Sequence, residues 1–126
     1  MARGDFNYIA VNQSFNNSNT VFEKDFQVKL EGGRQRVDDG YLLITARSVD
    51  STNHRIRLNN HDLPGSDIPL PPGNSNAWFT YMVHVPLETS GGQPFLVPGT
   101  NELEIRRAGG DNFEVKDMVV HWREEL

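Results

Sequence analysis

The sequence predicts an all-β fold: a two-sheet antiparallel β-sandwich with jelly-roll topology, in a single domain that spans residues 1–126. Helical periodicity is nearly absent, and apolar residues instead alternate with polar ones in several short segments. Gly, Pro and Asn residues separate these segments at the spacing typical of sandwiches. The length of 126 residues is close to the commonest size of one domain.

Composition narrows the function classes. A net charge of −5 disfavours nucleic acids and anionic membranes as partners, because binding to either depends on clustered cations. The absence of cysteine excludes disulfides, thiolate metal sites and a cysteine nucleophile. No apolar run reaches the length of a membrane span, and the N-terminus lacks the apolar core of a signal peptide. The compartment stays open, and the expected partner is a carbohydrate or a protein.

The first half of the chain predicts four strands. "DFNYIAV" reads as a short strand, and "NQSFNNSNT" after it reads as an Asn-rich loop. "VFEKDFQVKL" has the clearest alternation, with Phe26 and Val28 on the inward face. "GYLLITARSV" is apolar on both faces, which predicts a central strand. "HRIRLNN" is a short strand followed by a long loop over residues 59–76, where prolines prevent ladder pairing.

The second half predicts a strand and a closing hairpin. In "AWFTYMVHVPL" the inward face is Phe79, Tyr81, Val83 and Val85. Pro98-Gly99 and Gly109-Gly110 set the turns of the hairpin that follows. Its strands carry Leu103, Ile105, Phe113 and Val115 inward, with Glu102, Glu104 and Arg106 outward. The alternation shifts by one residue near Asp117, which predicts a β-bulge in a long strand paired on both sides.

Several of these segments resemble one known group of proteins. "IRLNN", the Trp-led "WFTYMVHVP", "LVPGTNELEI" and "DNFEVKDMVVHW" follow each other as they do in the galactose-binding-domain-like superfamily of jelly-roll sandwiches. The resemblance covers roughly residues 41 to 122. Asn60 stands where that pattern has Gly, and Asn also tolerates positive φ. The resemblance implies a recognition module, often for carbohydrate, but also for protein or for purely structural contacts.

Carbohydrate binding needs an exposed aromatic face and planar polar side chains. The loops predicted to lie at the ends of the sandwich supply both, so we expect a ligand site among Trp78, Asn76, His61, Asp62 and Asn112. The competing interpretation is that Trp78 covers the core and the Asn residues serve turns.

Modules of the resembling kind often hold a structural calcium ion through carbonyl and carboxylate oxygens. Asp5, Asp111 and Asp117 are the candidate ligands, since each lies near a chain end or a turn. No EF-hand spacing is present, and the four histidines lack the spacing of a zinc site. No other cofactor is expected.

Catalysis is not expected, because the chain has neither a nucleophile elbow nor a phosphate-binding loop. The arginines at 55 and 57 read as cross-strand partners of Glu23, Glu102 and Glu104, with an anion-binding patch as the alternative. The sequence therefore predicts a non-catalytic binding module, most simply for carbohydrate. The alternative is an assembly module that makes protein contacts through the apolar second faces of residues 41–46 and 118–122.

Overall fold

A computed structural model describes residues 2–30, 36–50, 54–64 and 76–125. Within those ranges the chain forms strands and turns and no helix. The strands are β1 (Ala2–Phe15), β2 (Val21–Val28), β3 (Gly40–Arg47), β4 (Arg55–Leu58), β5 (His61–Asp62), β6 (Phe79–Val85), β7 (Gly99–Arg106) and β8 (Phe113–Glu125).

The strands form two antiparallel four-stranded sheets, ordered β1-β8-β3-β6 and β2-β7-β4-β5. The pairs β4/β5, β3/β6, β2/β7 and β1/β8 are nested, as if one long hairpin had been rolled up, and that nesting is the jelly roll. The predicted fold class is therefore confirmed. No helix in the described ranges is long and apolar enough to cross a membrane.

The core lies between the two sheets. Phe26, Ile44, Leu103 and Val115 all belong to one buried cluster, as the alternation predicts. Phe79 and Tyr81 pack against this cluster, while Val83 and Val85 lie inside it. The inward faces were readable from the sequence because side chains of a strand alternate with a period of two residues.

The predicted bulge lies in β8. Asp117 adopts a left-handed φ of 50°, and the register of β8 against β3 shifts between Leu43 and Thr45. The inward set changes there from Val115 to Met118. β8 is paired with β1 on one side and β3 on the other, so the prediction of an interior strand is confirmed.

The N-terminal strand differs from its prediction. β1 runs through Phe15, so the first part of the expected Asn-rich loop is strand, and the chain turns only between Asn16 and Asn19. Phe15 stacks on Phe113 with ring centroids 4.5 Å apart and is buried. The long pairing with β8 overrides the local turn preference of the Asn residues.

The two long connections also contribute to the core. Leu63, in the connection predicted as a long loop over residues 59–76, is buried, and so are Phe95 and Leu96 in the connection that precedes β7. His61 and Asp62 pair with β4, which the loop prediction missed. The stretch 65–75 of that predicted loop lies outside the described residues.

The β4–β5 turn explains why Asn can stand in place of Gly. Asn59 and Asn60 have φ values of 51° and 68°, the pattern of a two-residue hairpin turn with both central residues left-handed. The predicted positive φ at Asn60 is therefore confirmed. Gly99 and Gly109 also have positive φ, as their predicted turns require.

Glu104 was expected to point into solvent and is instead only 2% exposed. It lies on the solvent-facing side of β7, where Arg106 forms an ion pair with it and the Arg57 guanidinium lies 3.6 Å from its carboxylate. The long arginine stems cover the carboxylate, which alternation alone does not reveal. The predicted cross-strand pairing of Arg57 with Glu104 is confirmed.

Candidate functional site

The five predicted ligand residues lie in two separate places. Trp78 and Asn76 precede β6 and Asn112 precedes β8, at the end of the sandwich where the β1–β2, β3–β4 and β7–β8 connections meet. His61 and Asp62 form β5 on the other sheet, next to the hairpin turn at the opposite end. The structure therefore brings three of the five residues to one end and leaves two away from it.

His61 and Asp62 have local structural partners. The Arg57 guanidinium lies 3.2 Å from the Asp62 carboxylate, and the His61 ring packs edge-on against Phe95 at 6.1 Å between centroids. These contacts hold the short β5 strand on β4 and on the loop that precedes β7.

Trp78 is half-buried, and its ring is covered by two cations. The Arg47 guanidinium lies 4.6 Å and the Lys116 ammonium 4.2 Å from the ring centroid. Arg47 also forms an ion pair with Glu114. Because cation–π contacts occupy ring surface that a sugar would need, the Trp78 ring is not an open stacking platform.

A depression of about 370 Å³ that polar side chains line together with apolar surface, here called the end groove, lies at the same end. Asn112 lines it, and Asn76 touches the groove through Ser48, whose Oγ lies 3.5 Å from the Asn76 Oδ1. The full lining is Ser14, Phe15, Asn16, Ser48, Asn112, Phe113 and Glu114. The stacked rings of Phe15 and Phe113 lie under these hydroxyl, amide and carboxylate groups.

The two groove asparagines are oriented by their surroundings. The Asn16 Oδ1 accepts from the backbone N–H groups of Ser18 and Asn19 at 2.8 and 3.1 Å. The Asn112 Oδ1 accepts from the Arg107 Nη2 at 3.0 Å. Among the residues that the structure describes, neither side-chain NH₂ group has a partner, so both are available as donors to a ligand.

Glu114 supplies the acceptor. Its carboxylate accepts from Arg47 and, at 3.3 Å, from the Ser14 hydroxyl. The hydrogen bond from Arg47 and its charge hold the pKa of Glu114 below its usual range, and the Ser14 hydrogen bond adds to this effect. The groove therefore offers amide donors beside an ionised carboxylate.

Asp111, one of the three predicted metal ligands, is used inside the protein. Its Oδ2 lies 2.7 Å from the His54 Nε2 and accepts from the Asp50 backbone N–H at 3.0 Å. The Ala108 N–H donates to the His54 Nδ1 at 3.0 Å, which makes Nε2 the protonated nitrogen of a neutral ring. This buried pair fastens the β3–β4 and β7–β8 connections together, and both connections carry groove residues.

Asp5 and Asp117 lie elsewhere. Asp5 lies on β1 at the end of the sandwich opposite to the end groove, where its Oδ1 accepts from the Phe6 N–H at 2.8 Å. Asp117 in the bulge accepts from the Tyr8 hydroxyl at 2.5 Å, and this hydrogen bond raises the pKa of Tyr8. The three predicted metal ligands thus lie in three different regions, and a joint calcium site for them stays a prediction.

Among the described residues, the acids that lie within metal-ligand reach of one another are Glu23, Glu102 and Glu104. They occupy the solvent-facing side of β2 and β7, away from the predicted metal ligands. Arg57 and Arg106 already neutralise Glu104 there, so the group is an ion-pair network.

A second polar depression, here called the edge cleft, lies between the ends of β1 and β2 and also measures about 370 Å³. Its inner wall is Trp122, the cross-strand partner of Asp5. The Trp122 indole N–H is buried and has no hydrogen-bond partner in the described part of the chain. The remaining lining residues are Asp5, Phe6, Asn7, Gln27 and Lys29.

A family model described as "Family of unknown function (DUF7383)" matches residues 4–124. The chain belongs to this family. The match runs from β1 to β8, so the whole sandwich, with the end groove and the edge cleft, is the family's domain. No curated protein matches the chain. No solved structure matches it either.

In this DUF7383 domain, sequence reasoning found Asn112 and the Asn-rich segment that holds Asn16, because turn-rich loops at sandwich ends are visible in the sequence. It missed Ser48 and Glu114. Ser14 belongs to the same Asn-rich segment but was expected in a loop, and Glu114 looked like an ordinary outward strand residue, so only the register of β1 on β8 reveals that the two meet.

Proposed function

We propose that this domain is a non-catalytic binding module that recognises a neutral carbohydrate in the end groove. The observation that carries the proposal is the set of amide donors of Asn16 and Asn112 beside the Glu114 carboxylate. A sugar hydroxyl both donates and accepts, so it can accept from an amide while it donates to the carboxylate. A groove of about 370 Å³ lies in the range of small-ligand sites.

The arrangement supports binding rather than hydrolysis. Glycoside hydrolases use two carboxyl groups placed on either side of the scissile bond. In the described lining of the end groove Glu114 is the carboxylate, and Arg47 keeps it ionised. An ionised carboxylate is suited to accept from a hydroxyl and unsuited to act as a general acid near neutral pH.

The superfamily resemblance adds support at the level of fold. The strand orders β1-β8-β3-β6 and β2-β7-β4-β5 are those of a jelly roll, the architecture that the resemblance implies. The shared "IRLNN" and "LVPGTN" segments hold the turn at Asn59 and Asn60 and the entry to β7. They therefore support a common architecture, while the choice of ligand depends on the groove itself.

Isothermal titration with glucose, galactose, mannose and N-acetylglucosamine, followed by an array of neutral glycans, tests the proposal. We expect at least one neutral sugar to bind and Asn112→Ala to weaken its binding at least tenfold, or about 1.4 kcal/mol. His61→Ala at the opposite end is the matched control and should bind as the wild type does.

Two results would count against the end groove. One is the absence of any neutral glycan ligand. The other is a loss of binding in Asp5→Asn, a variant in the edge cleft, with full binding in Asn112→Ala, because that result moves the sugar to the other depression.

The predicted alternative, an assembly module, is favoured by a separate observation. The solvent-facing side of the β1-β8-β3-β6 sheet carries exposed aromatic and apolar side chains that include Phe6, Tyr8 and Met82. Large exposed apolar patches on soluble proteins commonly mark contact surfaces. A protein contact on this side is compatible with a ligand in the end groove.

A further inference from the structure

Most of the exposed large hydrophobic side chains of the described residues lie on one side of the molecule. Phe6, Tyr8, Tyr41 and Met82 are 62%, 54%, 36% and 63% exposed, and the register places all of them on the solvent-facing side of the β1-β8-β3-β6 sheet. This side is called the outer face below. The remaining exposed large hydrophobic residue of the described chain, Val21, lies on the other sheet.

These side chains form two continuous rows across all four strands. The first row is Phe6, His121, Tyr41 and His84. The second row, one step along the strands, is Tyr8, Val119, Leu43 and Met82. The His121 ring lies 5.6 Å from the Phe6 ring and stacks on Tyr41 at 4.3 Å, so the rows are a joined surface rather than scattered residues.

The solvent-facing side of the second sheet, β2-β7-β4-β5, is charged rather than apolar. It carries the ion pairs of Glu104 with Arg57 and Arg106, beside Glu23 and Glu102. An antiparallel sheet with one solvated face normally alternates in this way, apolar inward and polar outward. The outer face breaks the pattern that the same chain obeys on its other side, which points to a covered surface.

The charges at the two ends of the outer face differ in sign. The end near β6's start carries Lys116 and Arg47 with Glu114. The other end carries Asp38 and Asp39, with Arg123 at 3.9 Å from Asp38 and the exposed Glu125 nearby. A copy related by a two-fold axis across the strands would set the cationic end of each face against the acidic end of the other.

The area of the outer face sets the expected strength of a contact between two copies. Four strands about 4.8 Å apart and five residues of about 3.3 Å each give a projected area of roughly 320 Å² per copy. A standard stable interface buries about 800 Å² per partner, so the contact belongs among the weak, concentration-dependent ones. The chain's net charge of −5 also opposes association at low salt.

We propose that the outer face docks on the same face of a second copy of this chain, with the strands of the two copies running in opposite directions and the two apolar rows buried between them. Two sheets stack face to face about 10 Å apart when their side chains interdigitate, and the side chains of the two rows would interdigitate in this way. This inference does not depend on sugar binding: Glu114 of the end groove lies at one end of the outer face, but the mass of the chain is measured without any sugar.

Sedimentation equilibrium from about 10 μM to about 1 mM at moderate salt tests the proposal, in the weak range expected for a small interface. The average mass should rise from the monomer value of 14.3 kDa toward twice that value. Met82→Lys should shift the dissociation constant at least tenfold, since two ammonium groups would be buried in each dimer.

Val21→Lys is the matched control, because it replaces the exposed hydrophobic residue of the other sheet and should leave the dissociation constant unchanged. Circular-dichroism melting of both variants separates a lost contact from a lost fold. A wild-type chain that stays at 14.3 kDa throughout the range overturns the proposal. Equal dissociation by Val21→Lys and Met82→Lys overturns it as well.

Discussion

The Asn59 side-chain NH₂ donates to the Asn101 Oδ1 at 2.7 Å and joins the β4–β5 turn to the first residues of β7. The same NH₂ donates to the Phe95 carbonyl at 2.9 Å, and the Asn59 Oδ1 accepts from the Glu102 N–H at 2.9 Å. Asn101 is only 1% exposed and closes its own loop through hydrogen bonds to Val97. The two asparagine side chains thus link the β4–β5 turn, the segment from Phe95 to Val97 and the start of β7.

This relationship predicts different effects for two neighbouring substitutions. Asn59→Gly keeps the left-handed backbone but leaves buried groups without partners, and we expect it to lower the free energy of unfolding by about 3 kcal/mol. Asn60→Gly also keeps the backbone, and the Asn60 carbonyl that accepts from Arg57 remains, so the change should stay within about 0.5 kcal/mol. Urea unfolding of both variants measures the difference, and equal losses would contradict it.

Gly40 is required by close packing between strands. A Cβ at this position would overlap the backbone oxygen of His121 on β8, whereas a Cβ at Gly4 on β1 would meet nothing within 4 Å. Gly40→Ala must therefore push β3 away from β8, and we expect a loss of at least about 2 kcal/mol. Gly4→Ala should be close to neutral. Thermal melting of the two variants would disprove the argument if both behaved like the wild type.

His121 predicts a pH dependence. Burial between Phe6 and Tyr41 lowers the pKa of His121 from its usual 6.5. The unfolded chain therefore binds a proton more readily than the folded one, and stability falls as the pH drops through 6.5 toward the lower folded value. His121 lines a depression on the outer face, and the charged side chains that line this depression with it are Asp39 and Arg123.

We expect His121→Gln to remove part of the stability loss between pH 7.5 and pH 5.5, with solvent screening keeping that part below about 1 kcal/mol. The half-buried His61 lies on the other sheet, so His61→Gln is the matched control for the substitution itself. Melting temperatures of the three proteins at the two pH values measure the effect. An identical pH dependence in His121→Gln and the wild type would show that His121 does not contribute to the pH dependence of stability.

Calcium should have little effect on stability. Asp5, Asp111 and Asp117 lie in separate regions, and each has a carboxylate oxygen that accepts from a protein donor. A ligand that binds the folded state stabilises it in proportion to the logarithm of its occupancy, so a real site would raise the melting temperature. We expect equal melting temperatures in chelator and in 1 mM calcium, a concentration roughly a hundred times the dissociation constant of a weak sensor site. A rise of several degrees would establish a calcium site and support the original aspartate prediction.

The sequence by itself determined the class of fold and most of the inward residues. The alternation in β2, β3 and β7 is a local property of an extended chain with one buried side, and it can be read without a partner strand. The bulge at Asp117 was also readable, because a single extra residue shifts the alternation that follows it. The turns at Asn60, Gly99 and Gly109 follow from residue types that accept positive φ.

Only the tertiary structure decided which of the outward residues meet. Register between distant strands joins Ser14 to Glu114 in the end groove and aligns Phe6 with His121 and Tyr41 on the outer face. It also separates His61 from Trp78, although the sequence places one in the long loop and the other at the start of the strand that follows it. Alternation states that a side chain leaves the core, but it carries no information on its cross-strand neighbour, because pairing depends on contacts far apart along the chain.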